Sequence, residues 1–192
     1  MGRWEPNARG RLEVAALELY AERGFDQTTV AQIAERAGLT ERTFFRHFAD
    51  KREVLFGGGT VIEELLVRAV ADASDDASPY DVVATALQEA AVVLEGRRAV
   101  APRRQAVIDA HPELQERELG KLSSWASALA DALMQRGVEP RLARLVAQTG
   151  LAVFRVAFET WVVDVVADVD ADDLPAELSR SFDELRGATS SG

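Results

Sequence analysis

Cysteine is absent from this 192-residue chain, which excludes disulfides, thiolate nucleophiles and cysteine-ligated metals. The sequence holds two histidines, thin material for a metal cluster or for acid–base catalysis. No Gly-rich phosphate loop, nucleophile motif or metal-ligand spacing occurs, so no cofactor and no metal are expected. Long hydrophobic runs are missing as well. The most apolar stretch, 151–166, is interrupted by Arg155, Glu159 and Asp164, too many charges for a membrane span. No charged N-terminal segment leads into an apolar run. Those absences predict a soluble, cytoplasmic protein, and a hydrophobic content of 47% is enough for a real core.

What is present is helical. Residues 29–48 read TVAQIAERAGLTERTFFRHF. Val30, Ile33, Ala34 and Ala37 fall at i, i+3, i+4 and i+7, one apolar stripe, while Ala31, Gln32, Glu35 and Arg36 face away. Thr29 and Gln32 have the spacing of a capping box. Gly38 stands where a left-handed backbone ends a helix, and Thr40 supplies the next N-cap. The second helix, from Glu41 to about Phe48, hides Phe44 and Phe48 and presents Glu41, Arg42, Thr43, Phe45, Arg46 and His47. Two short helices joined by a glycine turn have helix-turn-helix proportions. In a major groove the N-terminal Arg42 and Thr43 would meet base edges, Arg42 pairing bidentately with a guanine. Arg46, His47 and Lys51 lie further along, placed for phosphates, and Phe45 for a sugar or a thymine methyl. Thr29, at the mouth of the first helix, completes the expected DNA-facing set.

A core-facing helix precedes this unit, carried by Leu12, Ala15, Ala16, Leu19 and Tyr20 and closed at Gly24-Phe25. Asp50 with Glu53 opens a further helix through Val54, Leu55, Ile62, Leu65 and Leu66. The run AERGF followed by TTVAQIAERAGLTERTFFRHFADKREVL closely resembles the tetracycline-repressor (TetR) family of bacterial regulators over roughly residues 8–56. Many relatives have tyrosine at the position of Phe45, which lacks that hydroxyl for a phosphate. The resemblance implies an all-α fold: an N-terminal three-helix DNA-binding domain, 1–50, and a larger helical ligand-binding and dimerisation domain, 51–187; the small polar residues that follow predict a disordered tail, 188–192.

The net charge of −10 opposes DNA binding until it is divided. Residues 1–56 contain nine Lys or Arg and nine Asp or Glu, so the remainder carries the whole excess. An acidic body would orient the neutral end toward DNA. Arg3, Arg9 and Arg11 precede or open the first helix, and Arg3 is placed to reach a phosphate or the minor groove.

Beyond the motif, the periodicity predicts helices at about 51–73, 79–96, 99–110, 113–136, 140–167 and 175–186, with no strand. On the long helix, Leu151, Phe154, Phe158, Trp161 and Val165 share one stripe, and Thr149, Ala152, Val156 and Val163 another. A helix apolar on two faces is buried on two sides: one in its own core, the other against a second subunit, with Leu178, Phe182 and Leu185 alongside. The resemblance implies a four-helix bundle across a two-fold axis, and hence a homodimer. It also implies an effector cavity, for which Trp125, Phe154, Phe158 and Trp161, with Ile62, Leu66 and Leu129, are the candidate lining. Arg97-Arg98 and Arg103-Arg104 are candidates for an anionic head group such as that of an acyl thioester of coenzyme A, or else partners of nearby acids. Gly57-Gly58-Gly59 inside a helix would cost on the order of 1 kcal/mol each relative to alanine, so they serve either close packing or a hinge.

The reading is a ligand-responsive, sequence-specific DNA-binding regulator, a repressor released from a palindromic operator by a small apolar or amphipathic molecule. Two other classes compete. One is a helical protein-interaction module without DNA binding. The other is a small enzyme built on His111 beside Asp109 and Glu113.

Overall fold

The computed structural model describes residues 7–167 and 172–190, and among them no strand occurs. The chain forms two compact units, Met1–Gly58 with Arg103–Glu118, and Gly59–Pro102 with Leu119–Gly192.

In the first unit, α1 (Ala8–Arg23) starts at Asn7, whose side chain accepts from the Gly10 amide. Its apolar stripe, including Leu12, Ala16 and Leu19, is buried. α2 (Val30–Arg36) opens on a closed capping box: the Gln32 amide donates to Thr29 Oγ1 at 3.3 Å, and the Thr29 amide to Gln32 Oε1 at 3.0 Å. Gly38, at a φ of 66°, reverses the chain. α3 (Glu41–His47) is capped by Thr40 and buries Phe44. Arg36 pairs with Glu18 and Glu22 of α1, and Arg11 donates to the Ala37 carbonyl, so the α2 end of the turn is tied to α1.

The helix expected over 51–73 is broken. α4 (Glu53–Phe56) is one turn long, and α5 (Gly59–Asp72) starts afresh. Between them, a Cβ on Gly57 would strike the Arg9 guanidinium and approach Phe48 Cε1 to 3.1 Å. Arg9 also donates to the Gly57 carbonyl. At Gly57, therefore, the missing side chain serves close packing against α1. The division expected at residue 50 falls after Gly58, because Val54, Leu55 and Phe56 are buried in the first unit. Residues 103–118, from α7 (Ala101–Asp109) and the start of α8 (Pro112–Gln135), belong with it. Arg104 donates to the Leu55 carbonyl at 2.6 Å, Arg117 pairs with Glu53, and both guanidiniums lie over the Phe56 ring.

The second unit packs α5, α6 (Pro79–Glu95), the rest of α8, α9 (Pro140–Ala167) and α10 (Leu174–Ser190) around one core. α6 and α9 approach through small residues: Ala86, Ala90, Ala143 and Ala147 are fully buried. A Cβ at Gly150 would collide with Val83 and come within 3.1 Å of Leu87 Cδ1, which fixes glycine at that crossing. α10 continues to Ser190, past the expected end at 186 and into the segment expected to be a disordered tail. Residues 191 and 192 lie outside the described residues. No helix among the described residues is long and apolar enough to cross a membrane.

Candidate DNA-binding and effector sites

α3 is the exposed helix of the first unit. Phe44 is fully buried and Phe48 nearly so, which sets the helix's rotation. Arg42 and Arg46 then face solvent, and Phe45 between them is 56% exposed. Thr43 Oγ1 lies 3.0 Å from Thr40 Oγ1, so its hydroxyl is held at the N-terminus of the helix. Thr29 is exposed and remains the cap of α2. His47 is half-buried, with Nε2 buried and without a hydrogen-bond partner. Burial, then the charges of Arg46 and Arg9, hold its pKa below the usual histidine value.

Lys51 departs from the expectation of a phosphate contact. Its ammonium donates to the carbonyls of Phe25 at 2.7 Å, Asp26 at 3.2 Å and Thr28 at 3.0 Å. An ammonium has three N–H donors, and all three are occupied. The same group lies 4.4 Å from the Phe25 ring centroid, and the Lys51 carbonyl accepts from Tyr20 Oη at 2.6 Å. The lysine thus braces the loop between α1 and α2. No feature of sequence spacing distinguishes such a brace from an exposed cation. Arg9 and Arg11 are likewise committed inside the unit, and Arg3 lies outside the described residues. His111, the ingredient of the enzyme reading, places Nδ1 2.8 Å from the Val107 carbonyl and its ring edge-on to Phe25. It is a packing residue at the corner between α7 and α8.

The seven candidate effector residues come together in the second unit. Trp125, Phe154, Phe158 and Trp161 form a continuous run of rings, with successive centroids 6.2, 6.1 and 5.4 Å apart. Ile62, Leu66 and Leu129 are buried in the same core. Phe158 alone among the four rings is partly exposed. Trp125 Nε1 donates to the Gly59 carbonyl at 3.1 Å, whereas Trp161 Nε1 is buried without a partner. An open groove of about 360 Å³ lies elsewhere, on the outer face of α5 between Glu63, Glu64, Val67, Arg68 and Ala71. The arginine pairs separate. Arg98 bonds Glu95 and the Asp172 carbonyl, and Arg104 bonds Glu118 and Leu55, so these two serve as partners of nearby acids and carbonyls.

Residues 14–56 match the family model described as bacterial regulatory proteins of the tetR family. Residues 77–189 match the MftR C-terminal domain, more than half of the chain. The chain belongs to the TetR family. It is similar to the HTH-type transcriptional regulator TcmR of Streptomyces glaucescens, 30% identical across 93% of this chain and 82% of that protein. It is 26% identical to MftR of Mycobacterium tuberculosis, across 95% of this chain and 91% of its relative, whose name refers to regulation of mycofactocin biosynthesis. Among solved structures, the SmeT–triclosan complex superposes with a TM-score of 0.65 at 19% identity, covering 94% and 90% of the two chains. The transcriptional regulator FadR of Bacillus subtilis, in complex with stearoyl-CoA, gives 0.58 at 22%, covering 91% and 95%. Those likenesses establish the shared fold. This TetR-family protein is a DNA-binding transcriptional regulator, not an enzyme.

TetR-family regulators bind DNA as dimers. The expected interface residues divide sharply here. On α9, Thr149, Ala152, Val156 and Val163 are exposed. They lie on a longer stripe with Leu142, Leu145 and Val166, whose exposures run from 45% to 70%. Positions 142, 145, 149, 152, 156, 159, 163 and 166 alternate spacings of three and four, the seam of a helix pair. Glu159 is its one charged member, 3.7 Å from Arg155. The same spacing could have added Leu142, Leu145 and Val166 to the expected set. Leu178 and Phe182, expected at the interface, are instead buried in the chain's own core at 0% and 4% exposure. The Tyr80 ring meets Phe182 edge-on at 5.6 Å. Leu185 packs half-buried against that core. The i, i+4 stripe of α10 is covered by α6, and a second subunit is not needed to bury it.

Proposed function

We propose that this regulator is a repressor that binds a palindromic operator as a homodimer in the cytoplasm and leaves it when a small apolar or amphipathic molecule binds its second unit. The exposed face of α3 carries this reading: Arg42, Phe45 and Arg46 are presented on a helix capped at Thr40 and tied to α1 through the turn before it. In the major groove Arg42 and Thr43 read base edges, Phe45 covers a sugar or a thymine methyl, and Arg46 and His47 hold phosphates, with Thr29 at the groove's edge. The exposed α9 seam supplies a two-fold contact, and two recognition helices about 34 Å apart then meet successive major grooves. Ile62, Leu66, Trp125, Leu129, Phe154, Phe158 and Trp161 form the apolar surface an effector would meet, and an acyl thioester is one class with the required chemistry.

Selection of bound duplexes from a random pool at two salt concentrations tests the reading. An inverted repeat is expected, and Arg42→Ala should relax preference at one symmetric pair of bases by about 1–3 kcal/mol. Retention without enrichment at either salt would favour a helical interaction module instead.

A further inference from the structure

The two buried tryptophans of the aromatic run differ in one respect. Trp125 gives its N–H to a carbonyl of the chain, while Trp161, 1% exposed, finds no acceptor for its N–H among the chain's own atoms. A buried donor without an acceptor is destabilising, and native interiors seldom leave one. Two side chains adjoin the Trp161 ring. Phe158 lies beside it, its ring tilted by 47° to the indole with centroids 5.4 Å apart, and is the partly exposed ring of the run, so it is the ring that can yield with least loss of burial. The Arg98 guanidinium lies 5.9 Å from the Trp161 ring centroid, held by Glu95 at 3.0 Å and by the Asp172 carbonyl at 3.2 Å.

From this we infer that Trp161 Nε1 is the hydrogen-bond donor of the effector site, and that the effector is an apolar molecule bearing a neutral carbonyl oxygen. The inference rests on the effector reading above and adds the ligand's polar group to it. A neutral donor among apolar walls favours a neutral acceptor, because burying a carboxylate there would require a fully paired charge. The Arg98 guanidinium is already paired with Glu95. A ketone, quinone, ester or thioester carbonyl meets the requirement, and a hydrocarbon of the same shape does not. Polar recognition of this kind discriminates well, since a ligand lacking the acceptor leaves the donor unpaired.

Benzophenone and diphenylmethane test the point, since they share two rings on one carbon and differ by the carbonyl. Both are titrated into the uniformly ¹⁵N-labelled full chain, and the indole N–H resonances of its three tryptophans are followed. Trp161 is assigned by its loss in Trp161→Phe. Benzophenone should move the Trp161 indole proton downfield and bind about tenfold more tightly than diphenylmethane, the worth of one net hydrogen bond. In Trp161→Phe the two affinities should converge. If that variant does not fold, Trp4→Phe and Trp125→Phe assign the Trp161 resonance by elimination, and the wild-type spectrum still reports the contact. Equal affinities in the wild type, binding of neither compound, or a Trp161 resonance unmoved by benzophenone would overturn the assignment. Selected operator DNA separates this failure from failure of the effector reading. A compound that releases operator equally from wild type and Trp161→Phe leaves the regulator reading intact and removes Trp161 from it.

Discussion

Replacing Lys51 by methionine keeps the length and apolar stem of the side chain and deletes three charge-assisted hydrogen bonds. The bonds to the Phe25 and Thr28 carbonyls are partly buried, and that to Asp26 is exposed. Counting the two partly buried bonds at about 1 kcal/mol each, and the cation–π contact with Phe25 at about 0.5–1 kcal/mol, the loss is about 2.5–3 kcal/mol. That loss falls on the loop between α1 and α2. Amide hydrogen exchange in residues 24–36 should therefore accelerate by about two orders of magnitude, at 1.36 kcal/mol per tenfold. Operator affinity should fall because α2 and α3 are less firmly placed. The salt dependence provides the decisive contrast: a braced lysine contributes nothing to counterion release, so the slope of log K against log[salt] should be unchanged. If Lys51 instead neutralises a phosphate, the slope drops by about 0.9 per protomer. That drop, with exchange in residues 24–36 unaltered, would refute the reasoning.

Gly57→Ala should destabilise the first unit by about 1 kcal/mol in urea unfolding, because the added Cβ displaces the Arg9 guanidinium from the Gly57 carbonyl and presses on Phe48. Gly59→Ala, whose Cβ meets only Lys121 methylenes at 3.5 Å, should be neutral or stabilising by up to about 1 kcal/mol. Val163→Asp on the exposed seam should yield monomers in sedimentation with helical content retained. Leu178→Ala should instead cost about 2–5 kcal/mol of stability and leave the dimer intact. His47, with its folded pKa held below the usual value, binds protons more readily in the unfolded chain. As pH falls from about 6.5 toward that lowered value it subtracts from stability, so His47→Gln should flatten the decline in urea midpoint on acidification.

The helix-turn-helix was legible because each boundary has a local chemical cause. Thr29 with Gln32, Gly38 and Thr40 act through hydrogen bonds to their own neighbours, and such bonds depend on spacing alone. Phe44 and Phe48 follow from periodicity in the same way. The fate of Leu178 and Phe182 was not legible. Periodicity says that one face of α10 is covered, and it cannot say whether the cover is α6 or a second copy of the chain. The α9 seam escapes this ambiguity only because its other stripe, through Phe154 and Trp161, already fills the core. Lys51 and Gly57 were opaque for a different reason. Each is determined by a contact with a segment more than twenty residues away, namely Phe25–Thr28 and Arg9, and no local pattern encodes such a contact.

The charge balance of residues 1–56 now has a structural explanation, with a measurable consequence. Of the nine cations there, Arg9, Arg11, Arg36, Lys51 and Arg52 are engaged with acids or carbonyls of the same unit. Arg23, Arg42 and Arg46 carry no ion pair among the described residues, and Arg3 lies outside them. A dimer therefore offers about eight cations to phosphates even when Arg3 is counted. At 0.9 counterions per neutralised phosphate, the operator complex should show a salt slope no steeper than about −7, and about −5 without Arg3. Helix N-termini and backbone amides add contacts without adding to the slope, since they carry no full charge. A slope steeper than about −7 would mean that cations now holding the unit together let go of it on DNA. A slope near −5 that stays unchanged in Arg3→Ala would confine the electrostatic footprint to the described helices, leaving the acidic remainder of the chain to orient the approach.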